Sequence, residues 1–136
     1  MPILYCSNST FVLLSIYLNG KYVVHMELHF SSKSLEKCLT HDRLMKSKFG
    51  DCYVKLRLRM NELDAVESLA GISAYPPPRK HMLTGDLSGC FAVDVSKNQR
   101  IIFEPFPKSI PYQEDGSINY EAIKSIKILD VRDYHD

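Results

Sequence analysis

The side chains with the most evident chemistry fall in three short stretches: Arg79-Lys80-His81, the single Arg100, and Asp133-Tyr134-His135. As a set they suit cleavage of RNA without a metal. The ribose 2′-hydroxyl must lose a proton to attack the adjacent phosphate, and the leaving 5′-oxygen must gain one. Two histidines can share that work near neutral pH, because imidazole titrates there. An arginine can hold the phosphate through two N–H groups and offset the charge that builds during attack. A tyrosine can stack on an unpaired base. Each residue also has a plainer use. A histidine beside a proline-rich loop is commonly structural, Asp-Tyr-His can close a strand, and Arg100 can be a surface charge.

These groups meet only if neighbouring strands carry them. Glu27-Leu-His-Phe30 alternates polar and apolar residues, as a half-buried strand does. Ser34 is placed to cap a helix with Glu36 in its first turn, and Leu35, Cys38, Leu39, Met45 and Phe49 recur at helical intervals. Gly50 ends that helix, and a second turns Tyr53, Leu56, Met60 and Leu63 inward. Lys55 and Arg59, four apart, then share an outer face with Lys48 in reach and Arg57 to one side. That face could meet RNA or simply be solvated. Gly71 and Pro76-Pro-Pro78 end helical structure, and Gly85-Asp-Leu-Ser-Gly89 reads as a turn. Cys90–Val95 and Arg100–Phe103 form a hairpin across Ser96–Gln99. Residues 104–124 make a proline-rich loop with one helical turn near Asn119–Ile123, and Ser125–Val131 is the last strand. The expected class is α+β: an N-terminal strand and a two-helix hairpin packed on a mainly antiparallel sheet.

The chain has 136 residues, 45% apolar and 24% charged, enough for one domain with a real core. Its net charge is +1, and from Met26 onward 16 basic residues balance 16 acidic ones. That balance disfavours strong non-specific nucleic-acid binding, though a local basic patch remains open. Cys6, Cys38, Cys52 and Cys90 are scattered without paired spacing, so they read as reduced core residues in a cytoplasmic protein, with no metal or cofactor site. The apolar stretch Thr10–Leu18 is too short to span a bilayer and lacks the flanks of a signal peptide. Residues 1–25 read as an extension from a start codon assigned too early, with the domain at 26–136. The other reading is an added β-hairpin turning at Leu18-Asn-Gly-Lys21.

Pro77-Pro-Arg-Lys-His-Met-Leu-Thr-Gly-Asp-Leu-Ser-Gly-Cys-Phe-Ala-Val-Asp-Val95, followed by Gln99-Arg-Ile-Ile-Phe-Glu104, resembles the core of the HigB branch of the RelE/ParE toxin superfamily. Val131-Arg-Asp-Tyr-His135 is similar to that branch's C-terminal motif, and the resemblance runs from Met26 to the end. Such proteins carry plasmid-maintenance or killer labels. The resemblance implies a compact RelE-like fold and a type II toxin that cuts mRNA in the ribosomal A site. A cognate helix-turn-helix antitoxin would silence it, and operator DNA would be met only through that antitoxin. By matched motif, His81, Arg100, Asp133 and His135 would be catalytic. Arg100 would bind phosphate, His81 and His135 would move protons, and Asp133 would orient a histidine. Tyr134 would stack on a base, with Arg79, Lys80, Lys55 and Arg59 as further RNA contacts. Thr84 stands where the family often has lysine, the loop at 104–124 is long, and the domain is neutral. The alternatives are a non-catalytic gyrase inhibitor of the ParE kind and a degenerate antitoxin-binding module.

Overall fold

A computed structural model describes residues 25–133 in full, together with the backbone of four strands before them: β1 (Leu4–Ser7), β2 (Thr10–Leu13), β3 (Ile16–Leu18) and β4 (Lys21–Val23). Then come β5 (Glu27–Phe30), α1 (Lys33–Thr40), α2 (Asp42–Phe49) and α3 (Tyr53–Ala65). The second half holds β6 (His81–Met82), β7 (Phe91–Asp94), β8 (Gln99–Pro105) and β9 (Ser125–Asp133). The class is α+β, with a mixed sheet ordered β1-β2-β5-β9-β8-β7-β6. Five of these strands, β5 to β6 in that order, come from residues 26–133. Within them β5 runs parallel to β9, and the remaining neighbours are antiparallel. β3 and β4 form a separate antiparallel pair in which Leu18 faces Lys21, the register of the alternative hairpin reading.

The helical region differs from the two-helix expectation. Ser32, not Ser34, is the cap: its hydroxyl accepts the Leu35 amide at 3.1 Å, and its own backbone is extended. Helix α1 then stops at His41, whose φ of −115° and ψ of 116° interrupt what the periodicity reads as one helix. Thr40 sits just before the break, with its hydroxyl donating to the Glu36 carbonyl at 2.6 Å. A β-branched residue bonding back to the preceding turn favours such a bend. The second break does fall at Gly50, whose φ of 51° suits glycine. The result is three helices lying on one face of the sheet.

Leu35, Leu39, Met45, Leu56, Met60 and Leu63 from the helices pack on Phe91, Val93, Ile101, Phe103, Ile126 and Ile128 of the sheet. Full burial of each such side chain stabilises by roughly 1.5–3 kcal/mol. A smaller cluster of Leu83, Cys90, Ala92 and Ile102 lies on the other face. Strand β9 serves both faces through a register shift opposite Ile102 and Phe103, where Ile102 faces Asp130 and Phe103 faces Ile128. Leu129 is the extra residue. The bulge reverses the alternation, so Ile126, Ile128 and Val131 all join the helix-side core despite their uneven spacing. It also sends Asp130 and Arg132 to the opposite face.

Candidate functional site

That opposite face holds several of the candidate side chains. In register, Asp94 of β7 lies across from Arg100 of β8, and Arg100 lies across from Arg132 of β9. Arg79, at the entry to β6, clamps Asp94 with its Nε at 2.6 Å from one carboxylate oxygen and its second nitrogen at 3.1 Å from the other. Arg132 donates to Asp130 at 3.0 Å. The row Arg79, Asp94, Arg100, Arg132, Asp130 thus sets three guanidinium groups against two carboxylates. It is a local cationic strip on a domain of zero formal charge, the placement that the overall balance conceals.

His81 stands on β6 opposite Ala92, on the face of the smaller cluster and hence on the side of Arg100. Its ring Nδ1 lies 2.7 Å from the Arg79 carbonyl oxygen. A carbonyl can only accept, so Nδ1 must carry the proton. In the neutral ring Nε2 then holds the lone pair, the form a general base requires. Strand spacing and the two-residue offset separate the His81 and Arg100 backbones by roughly 12 Å. Their side chains can therefore flank a group bound between them.

The strip does not gather every sequence candidate. Asp133 pairs across β8–β9 with Gln99 and accepts from its side-chain amide at 3.0 Å. By strand alternation this places Asp133 on the helix side and Arg100 on the other. Tyr134 and His135 lie outside the described residues. Lys55 is exposed on α3, as expected.

Arg59 corrects the expected outer basic face. It is 3% exposed, donates to the Asp94 carbonyl at 2.7 Å, and holds Glu62 through two bonds of 2.9 Å. Its position packs against the β7 end, so its charge is spent inside the protein. Lys80 is a second correction. It is 8% exposed, donates to the Leu69 carbonyl at 2.9 Å, and lies 3.8 Å from the centre of the Tyr120 ring. Burial pushes its pKa down and that of Tyr120 up. Strand alternation accounts for this: Lys80 precedes His81, so it faces the core as His81 faces away.

Cys38 and Cys52 are half-buried free thiols, and Cys90 is buried, with its pKa raised by that burial first and by Glu104 second. Among the described residues no three His, Cys, Asp or Glu side chains gather as a metal-holding group. None of the helices there is long and apolar enough to cross a membrane. No family model matches the chain, and no curated protein matches it.

The sequence reading did not single out Asp94, Asp130 and Arg132. A signal for Asp94 existed: Phe91, Val93 and Val95 face the core, so a carboxylate between them must face the other way. Arg132 had none, because its direction depends on the bulge at Leu129.

Proposed function

We propose that this chain is a toxin of the RelE/HigB kind, an endoribonuclease that cuts mRNA on the ribosome by metal-independent attack of the 2′-hydroxyl. The observation that carries this reading is His81, with Nδ1 tied to the Arg79 carbonyl and Nε2 left as a base, on the same sheet face as Arg100 and Arg132. In this reading His81 withdraws the proton from the 2′-hydroxyl. Arg100 and Arg132 hold the phosphate and stabilise the charge that grows on it. His135 supplies the proton to the leaving oxygen. Thr84 puts no cation where the family often has one, and Arg132 takes that electrostatic part. The element order, with helices on one face and the cationic strip on the other, supports a RelE-like fold. A cytoplasmic location and a helix-turn-helix antitoxin belong to the same proposal.

The test is expression of the full chain from a tightly controlled promoter, with mapping of mRNA ends during growth arrest, beside His81→Ala, Arg100→Ala and His135→Ala. The expected result is arrest with new cuts at in-frame codon positions, reduced roughly 10²-fold or more in each variant. Arrest without cuts would replace the nuclease by a gyrase inhibitor of the ParE kind. The position of Asp133 favours a non-catalytic binding module as the second reading, because a carboxylate bound to Gln99 on the helix side is poorly placed to orient His81. Growth without arrest would select it.

A further inference from the structure

Arg79 has a non-glycine backbone in the left-handed region, with φ at 45°. Such a conformation costs energy and persists only where surrounding contacts impose it. The contacts here are specific. The Arg79 amide donates to the Tyr75 carbonyl at 3.1 Å, and the Asp94 amide donates to the Pro78 carbonyl at 2.7 Å. The Arg79 guanidinium grips both Asp94 carboxylate oxygens. Arg59 holds the Asp94 carbonyl from the helix side. Asp94 is therefore fixed through its amide, its carbonyl and its side chain at once. The consequence at Arg79 is a carbonyl aimed at His81 Nδ1 from 2.7 Å.

We propose that the Arg79–Asp94 pair is a latch that sets the tautomer and ring orientation of His81. The side chain of Arg79 acts as a positioning group, and its strained backbone supplies the acceptor. An imidazole free in water prefers its proton on Nε2, which would leave no base facing outward. The latched carbonyl reverses that preference by rewarding the Nδ1–H form with a hydrogen bond. This makes the half-exposed guanidinium of Arg79 a strut for Asp94 rather than an RNA contact. The proposal deepens the nuclease reading, since a fixed base matters most to a proton-transfer enzyme, but the tautomer is a property of the protein alone.

The experiment is nitrogen-15 NMR of the imidazole rings in the full chain, with the His81 signals identified by their loss in His81→Gln. The expected spectrum shows the neutral ring protonated on Nδ1 in the native protein. Asp94→Asn and Arg79→Ala are expected to shift His81 toward the Nε2–H form, because both break the grip and leave the penalty of the positive φ in place. Arg79→Gly, which removes that penalty, is expected to shift it less. Arg79→Lys keeps the charge without the two-pronged grip and is expected to restore the native signal in part. A native ring protonated on Nε2, or folded Arg79→Ala and Asp94→Asn proteins with an unchanged His81 signal, would overturn the latch. In cleavage assays the same variants are expected to lose on the order of tenfold, the scale of losing a partner that orients a histidine. Absence of cleavage by the native protein would overturn the nuclease reading and leave the imidazole spectrum to decide the latch by itself.

Discussion

At Arg59 and Lys55 the same chemistry has opposite fates, decided by one helical turn. Lys55 projects into solvent, whereas Arg59 is buried and satisfied by the Asp94 carbonyl and the Glu62 carboxylate. Removing Arg59 leaves the Asp94 carbonyl without its donor and opens space between α3 and β7. Urea denaturation is expected to show Arg59→Ala less stable by about 1–3 kcal/mol, the usual penalty for leaving a buried acceptor without its donor, since Glu62 itself stays partly exposed. Lys55→Ala is expected to stay within about 0.5 kcal/mol, as exposed substitutions do. Equal effects would place Arg59 at the surface. Lys80 repeats the lesson beside His81, since adjacent strand residues face opposite ways and a run of three basic-type residues cannot be one patch.

At the level of elements, helix ends and the bulge carry the decisive information. Ser32 and Ser34 are both reasonable caps by type, but only Ser32 combines an extended backbone with a hydroxyl on the Leu35 amide. Ser32→Ala is expected to cost about 1 kcal/mol in thermal or urea unfolding, and Ser34→Ala to change stability far less. The reverse order would return the cap to Ser34. The bulge at Leu129 is equally consequential. It keeps Val131 in the core and turns Arg132 toward Arg100, so one extra residue joins core packing to the electrostatics of the strip.

Across the whole molecule, stability should carry a pH signature from Asp64. This side chain is 8% exposed on α3, and burial raises its pKa from 3.8 to about 6, while the nearby His25 lowers it. The folded chain therefore binds the Asp64 proton more tightly than the unfolded chain does. Its contribution is fully present below pH 3.8 and is lost as pH rises through about 6. The shift corresponds to about 3 kcal/mol. Unfolding free energies measured on either side of pH 6 should show Asp64→Asn relatively more stable at the higher pH, with a flatter profile between. A variant profile parallel to that of the native chain would remove Asp64 as its source.

By itself the sequence determined the α+β class, the hairpin of β7 and β8, the break at Gly50 and the identity of His81 and Arg100 as chemical candidates. These are local matters of periodicity, turn residues and side-chain type. The tertiary structure alone decided which candidates share a face. Strand β5 pairs with β9 across nearly the whole domain, and the Ser31 hydroxyl reaches the Leu129 carbonyl over a separation of 98 residues. No short-range pattern encodes such a pairing. Nor does residue type reveal that Arg59 and Lys80 are consumed internally, that Asp133 lies on the helix side, or that Arg132 joins the strip. For Arg59 the physical reason is how α3 docks on the end of β7; for the other three it is common. Direction in a strand alternates with every residue, so a single bulge or a one-residue difference in position exchanges core for surface.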